Sequence, residues 1–502
     1  MRNCVVAALV CTAFVAGCSS QPGTGSPGGS TTPAVSPVPG PTAPHTVQTR
    51  IGDQVVVAVV HPVVSLDDQA VLTIDCSVPE GSGSTSAVFL GMALRWGRTI
   101  EPSASAVRLV DLPGGRVWDA GRGATRSTST YDLGWLHPGE SIAMQTFFGP
   151  VDVDHVDVLL PFFGLVPDVP VVKGDASTPD VTSLGHKGPF ELPGPQLLER
   201  YVLAYDGDTS VQQSGDDQMV TLASDVLFAT DDFSLSPEAL GRVDSIAGQI
   251  AAVASGGQVQ VVGHTDDVAS DEYNLELSKK RARSVADRMA PTLGAAFTFV
   301  VDGKGKREPA VSGTDPAARA ANRRVEISFS ASEALELAPQ TQPVPPPTGP
   351  TAVGHNTVEF VHSLPPAPQS VTVTVAVTSV VRRHGYLIGT LEITLVDGRD
   401  MVYILGEYYQ EQRYAHYAQV HGAWDVALLG PAGRVHPVQY PYAGSRDRFP
   451  RIDILADRFR WNRIDVPGSF TYTVVWPDTG QDKVSVDVRN RFRITDIPVE
   501  IT

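Results

Sequence analysis

Cysteine is scarce, with four residues in 502, at positions 4, 11, 18 and 76. Only Cys76 lies beyond the first eighteen residues, so a scaffold stapled by internal disulfides is excluded. Past the N-terminus no apolar run approaches the ~20 residues that a membrane-spanning helix needs. Positive charge is also short: 38 Lys and Arg stand against 55 Asp and Glu, a net −17. Such a balance speaks against a protein that grips nucleic acid through bulk charge. The acid excess is uneven, with 10 basic and 22 acidic residues over 47–219, 12 and 15 over 220–330, and 15 and 16 over 356–502. The 12 histidines form no His-Glu-x-x-His pair, and no Ser/His/Asp order or carboxylate pair suggests catalysis. The reading is therefore not an enzyme, with no cofactor and no metal.

The N-terminus carries its own signal. Arg2 precedes an apolar stretch over 5–17. At 1.5 Å per residue this covers about 20 Å, too short for a bilayer core of about 30 Å. A basic start, a short apolar core and a small-residue junction describe an export signal over 1–17. Val15-Ala16-Gly17-Cys18 resembles the lipobox of bacterial lipoproteins, which implies acylation of Cys18 and a palmitate-type anchor. Residues 18–46 are almost all Ser, Thr, Gly, Pro and other small residues, the composition of a tether that cannot bury a core. The expected location is the extracytoplasmic face of a cell membrane, or the outer membrane where there are two.

An apolar content of 42% with 46 Gly and 40 Pro describes globular domains joined by many turns. Over 47–171 short alternating runs (54–60, 70–78, 87–96, 107–112, 141–148, 156–160) give the pattern of an all-β, Ig-like sandwich. Residues 172–219 read as a linker, with 197–205 a candidate short helix or strand, and 220–330 alternate strand and helix patterns. The Pro-rich stretch 331–356 reads as a second, extended linker. From 357 to 502 the β pattern returns as a second Ig-like sandwich. The two β regions resemble each other: 156–171 aligns without a gap on 484–499, down to Asp168-Val-Pro170 against Asp496-Ile-Pro498. That argues for duplication, with convergent turn chemistry as the alternative.

The middle region is the most informative. The run 226–228 reads as a strand, and Ser236-Pro237-Glu238 as a helix start. Apolar residues at 240, 243, 246, 247, 250 and 253 form a helical stripe. Strands follow at 259–263, 297–301 and 324–329, with a second helix from Ser270 or Asp271 to about 289. The order is β-α-β-α-β-β in a mixed sheet.

Within this region Gly263-His-Thr-Asp266, Tyr273-Asn274-Leu-Glu-Leu277-Ser278-Lys-Lys-Arg281-Ala282 and Asn322-Arg323-Arg324-Val-Glu-Ile327 resemble the OmpA-like peptidoglycan-binding family. Asp225-Val-Leu-Phe228 and Gly303-x-Gly305 fit as well. Lys306 departs from the family's usual Glu, and Ala318 from its usual Gly. The resemblance implies non-covalent binding to the diaminopimelate of peptidoglycan stem peptides. The contacts it implies are Asp266, Arg281, Asn274, Leu277 and Thr265, with Arg323 and Asp231 as second candidates.

Elementary chemistry agrees with that implication. Diaminopimelate in a stem peptide offers an ammonium and a carboxylate on one carbon. A carboxylate and a guanidinium held a few ångströms apart would take both. Asn274, Leu277 and Arg281 share one helix face by spacing, and Asp266 lies in the turn before that helix. An ordinary surface ion-pair network is the alternative reading. His416 and His421, in a Tyr-rich stretch, read as polar-aromatic surface. Arg446, Arg448, Arg451, Arg458, Arg460 and Arg463, interleaved with Asp, read as a charge-paired face.

The functional expectation is a lipid-anchored envelope protein that ties membrane to cell wall. The rival is an envelope assembly or accessory protein whose sandwiches bind a protein partner, wall binding serving only to locate it.

Overall fold

Alternating apolar residues make the first region a set of strands: β1 (His45–Gly52), β2 (Gln54–Val60), β3 (Val63–Ser65), β4 (Ala70–Ser77), β5 (Arg108–Asp111), β6 (Arg116–Asp119), β7 (Ser141–Phe148), β8 (His155–Leu160) and β9 (Gly164–Lys173). On β2, Val56, Ala58 and Val60 are wholly buried while the residues between them are half-exposed, the period of two that a strand with one core face requires. The computed structural model describes residues 43–501 apart from 82–86, 91–103, 124–126, 131–134, 186–187, 339–342, 365–368, 398–424, 442–451 and 458–467. One sheet runs β1-β2-β4-β7 and a second β6-β5-β8-β9. Leu72 and Ile74 from the first meet Leu109, Trp118 and Val158 from the second in the core.

The middle region begins earlier than its sequence suggests. The interval 172–219, read above as a linker, contains β10 (Glu199–Ala204), β11 (Thr209–Ser214) and the start of β12 (Asp217–Ala223), an antiparallel meander. Its turns fall at Gly207 and Gly215, both with positive φ, and its polar outer face hid the strand pattern. The run 226–228, read as a strand, begins instead inside one helical turn, α1 (Ser224–Leu227). The strand that was sought is β12.

α2 (Pro237–Val253) follows, with the Ser236 Oγ accepting from the Ala239 N–H at 3.1 Å. Then come β13 (Gly257–His264), α3 (Asp271–Leu293) capped by Ser270, β14 (Phe297–Gly305), α4 (Pro316–Asn322) and β15 (Arg324–Ser330). The sheet order is β14-β13-β15-β12, with β13 and β14 parallel and the other pairs antiparallel. Val243, Ile246 and Ile250 of α2 and Val285 and Met289 of α3 cover one face of this sheet. Gly263 and Gly303 allow α3 to lie against the strands: a Cβ on Gly263 would stand 2.1 Å from the Ser278 carbonyl oxygen.

The Pro-rich stretch, read as an extended linker, is docked at both ends, the far one through Arg493 Nη1, which donates to the Pro345 carbonyl at 2.8 Å. Leu335 and Leu337 are buried against the sheet. The Gln218 amide donates to the carbonyls of Ala331 and Glu333, and its oxygen accepts from the Leu335 N–H.

The last region contains β16 (Val358–Leu364), β17 (Gln369–Arg383), β18 (Tyr386–Asp397), β19 (Ala427–Leu429), β20 (Gly433–Val435), β21 (Gly468–Pro477), β22 (Lys483–Val488) and β23 (Phe492–Pro498). Its sheets run β16-β17-β18-β21 and β20-β19-β22-β23, the same order as the first lobe. The match reaches single residues. The β8–β9 hairpin has a register shift between Val156 and Val158, and β22–β23 has one between Val484 and Val486. Asp168 and Asp496 both sit at φ 55°, and Phe162 and Asn490, 328 positions apart like the aspartates, also have positive φ.

The lobes are not separate beads. β1 pairs with β21 through Ile51 and Gly52, and Phe162 packs edge-on against Phe470 with ring centres 6.0 Å apart. The wholly buried Arg108 donates to the carbonyls of Ile454 and Ala456. Asp457, buried at the same joint, accepts from the N–H groups of Thr473 at 2.9 Å and Phe162 at 3.3 Å. β10 pairs with β20, so the sheet of the middle region continues into the second lobe.

Candidate functional site

The turn after β13, the N-terminal half of α3, the segment following α1 and the end of α4 converge on one surface. Asp266, in that turn, accepts through Oδ1 from the Val268 N–H and through Oδ2 from Arg323 Nη1 at 2.8 Å. Arg323 turns its other two nitrogens on Asp225, Nε at 2.7 Å and Nη2 at 2.6 Å. These bonds, the fork onto Asp225 foremost, hold the guanidinium charged well beyond its ordinary range.

Thr265 is buried: its N–H donates to the Gly305 carbonyl and its hydroxyl to the Asp266 carbonyl. Asn274, also buried, donates from Nδ2 to the carbonyls of Ala269 at 3.2 Å and Asp266 at 3.4 Å. Both residues shape the turn that presents Asp266. Leu277 is buried one turn further along α3.

Arg281 shares the buried face of α3 with Asn274 and Leu277, as the spacing suggests, but its donors are turned to the backbone. It is 5% exposed, lies 5.2 Å over the Phe228 ring, and donates from Nε to the Asp232 carbonyl at 2.8 Å and from Nη2 to the Ala229 carbonyl at 3.3 Å. Burial lowers its affinity for the proton, while Asp225, Asp231 and Tyr273 act to keep it charged. Asp231, with φ 58°, accepts from the Tyr273 hydroxyl at 3.1 Å. Asp232 is held below the usual carboxylate range by the N–H groups of Ser234 and Phe233.

All seven residues expected at the site thus lie on or just beneath one surface. The pairing differs: Asp266 is bonded to Arg323, and Arg281 braces the segment that carries Asp231. Asp225 and Tyr273 join the group without having been singled out as contacts. Asp225 is 98 residues from Arg323, and nothing local in the sequence announces that pair. Lys306 donates to the Ala269 carbonyl and pairs with Asp271, both at 3.0 Å, so the departure from the family's Glu supports the same turn. Ala318 is buried, and its N–H donates to Asp315. Tyr273 and Phe233, each close to half-exposed, stand at the rim.

Three carboxylates, Asp225, Asp231 and Asp266, therefore surround two guanidiniums. Arg323 is bonded to Asp225 and Asp266, and Arg281 to two backbone carbonyls, so the charges of this surface are largely met within it. Among the described residues no cluster of His, Cys, Asp or Glu could hold a metal ion. No helix among them is long and apolar enough to cross a membrane. Cys18, His416, His421 and all six arginines of the 446–463 cluster lie outside the described residues.

A profile of the OmpA family matches residues 227–323. Outer membrane protein P5 of Haemophilus influenzae is 37% identical over 119 residues, which cover 22% of this chain and 33% of that protein. The chain thus spans about one third of the length of that relative. YfiB of Escherichia coli (strain K12) is 34% identical over 118 residues, covering 23% of this chain and 72% of the relative. The peptidoglycan-associated lipoprotein of Legionella pneumophila is 37% identical over 105 residues, with 21% and 59% covered. Among solved structures, the cell wall anchor of the T6SS from Pseudomonas aeruginosa is 36% identical, covering 25% of this chain and 88% of that one, with a TM-score of 0.23.

Proposed function

Because the chain belongs to the OmpA family, we propose that it is a lipid-anchored envelope protein that binds peptidoglycan non-covalently through diaminopimelate and so ties membrane to wall. The observation that carries this reading is the gathering of Asp225, Asp231 and Asp266 around Arg281 and Arg323 at one surface. The α-ammonium and carboxylate of a diaminopimelate end are a few ångströms apart, the scale on which these groups alternate. Charge-assisted contacts contribute about 1.5–3 kcal/mol each before association costs, which suits a micromolar-to-millimolar site. A polymeric wall and an anchored protein make such weak contacts sufficient through effective concentration.

In this reading Cys18 carries the lipid, 18–46 is the tether, and the two β lobes are Ig-like sandwiches. Nothing in the site calls for bond-making chemistry, and the role is one of binding. Co-sedimentation of the protein with sacculi of the diaminopimelate type beside sacculi of the lysine type tests it. Retention on the former alone is the expected outcome, and equal retention on both would overturn diaminopimelate recognition.

A further inference from the structure

Strands β10 and β11 lie upstream of the family-matched residues and line a cavity. It holds about 310 Å³, between the middle region and the second lobe, and is lined by residues 334–337 and by the turns at 430–433 and 477–480. That volume suits a small molecule. Its walls are largely apolar, including Val202, Leu335, Leu337 and Pro431.

Two charged side chains, Arg200 from β10 and Glu336, also line it and, among the described residues, form no ion pair. Among the described residues the Arg200 side chain makes one hydrogen bond, a long one of 3.4 Å from Nη2 to the Asp478 carbonyl. The Asp478 carboxylate, also at the lining, is engaged elsewhere, one oxygen by Arg382 Nε and the other by the Gly480 N–H, each at 2.9 Å. Among the described residues the Glu336 carboxylate has neither a hydrogen bond nor an ion pair. Glu336 is exposed to solvent beside the cavity, and Arg200 favours its charged form, so the two charges sense each other. They nevertheless stand too far apart to pair.

We propose that this cavity binds a small zwitterion, a free amino acid or dipeptide, with its carboxylate on Arg200 and its ammonium on Glu336. A guanidinium and a carboxylate left unpaired beside apolar walls each gain from a ligand of opposite charge. A simple anion would satisfy Arg200 but meet repulsion from Glu336, and a simple cation would do the reverse. A molecule carrying both charges satisfies both, and its remaining surface meets the apolar lining. The site is separate from Asp266 and does not depend on wall binding.

Calorimetric titration of the full chain with alanine and with D-alanyl-D-alanine tests the proposal, beside N-acetyl-alanine and alanine amide, which carry one charge each. The zwitterions are expected to bind, and the single-charge compounds to bind about ten-fold more weakly or not at all. Arg200→Met and Glu336→Gln are each expected to weaken zwitterion binding by about ten-fold, while co-sedimentation with sacculi is unchanged. Absence of zwitterion binding at millimolar concentration, or equal affinity for the single-charge compounds, would overturn the assignment. Should Arg200→Met fail to fold, Glu336→Gln and the ligand comparison on the unaltered protein still decide.

Discussion

Asp266 and Arg323 are joined at 2.8 Å, and the arginine making that bond is also forked onto Asp225. The carboxylate best placed to receive an ammonium is thus already partly neutralised, and Asp225 sets how much of the Arg323 charge is left for it. Asp266→Ala is expected to abolish sacculus binding at a cost of about 1–3 kcal/mol in stability, since the side chain is only 18% exposed and also accepts from the Val268 N–H. Asp225→Asn is expected to weaken binding several-fold by releasing Arg323 toward Asp266. Co-sedimentation across a protein concentration series measures both, and unchanged binding in Asp225→Asn would separate that residue from the site.

Arg281 calls for a different outcome. Its side chain satisfies two backbone carbonyls, at Ala229 and Asp232, beneath the segment that carries Asp231. Arg281→Ala should cost about 1–3 kcal/mol of stability by leaving those carbonyls without a donor, and should lose wall binding as well. Urea denaturation followed by circular dichroism reads the first effect. A variant as stable as the parent would mean that the bonds to the carbonyls contribute nothing.

Asp457 supplies a pH dependence. Burial pushes its carboxyl up to about 7, against the opposing pull of the Thr473 N–H and Arg108. An unfolded aspartate titrates near 3.9. The folded state therefore holds this proton more tightly, and the stability it confers is full below about pH 4 and lost as pH rises to about 7. Asp457→Asn keeps an acceptor for the Phe162 and Thr473 N–H groups and removes the titration. The difference in unfolding free energy between parent and variant should change by roughly 2–4 kcal/mol between pH 4 and pH 7. A pH-independent difference would place the carboxyl's titration outside that window.

The anchor is tested by chemistry alone. Cys18→Ser is expected to abolish incorporation of a fatty-acid probe during growth and to release the protein from the membrane fraction. A labelled variant would refute acylation at that position.

Much of the middle region was legible in the sequence because its signals are local. The stripe at 240, 243, 246, 247, 250 and 253 lies in α2, and Ser236 and Ser270 cap the helices they were expected to begin. The motif residues from Thr265 to Arg323 named the surface but not its bonds. Asp225 meets Arg323 across 98 residues of chain, and Arg281 spends its donors on carbonyls, which no side-chain pattern reveals. Periodicity located strands in both lobes but could not say where inward-facing residues find partners. Arg108 looks like a charge interrupting a strand, yet it donates to Ile454 and Ala456, more than 340 positions away. The Pro-rich stretch misled for a related reason: Gln218, which binds it, lies 113 residues before Ala331.

The pairing of Val202 with Val435 carries the sheet of the middle region directly into the second lobe. A wall-binding module on a loose string can swivel, and the rest of its chain then adopts any attitude to the glycan. Here the ladder of backbone bonds removes that swivel between residues 199 and 498. On the proposed reading, in which the Asp266 surface binds the wall, both lobes would stand at one set angle to it, like a bracket bolted rather than hung. Whatever they meet, they meet with the same face each time.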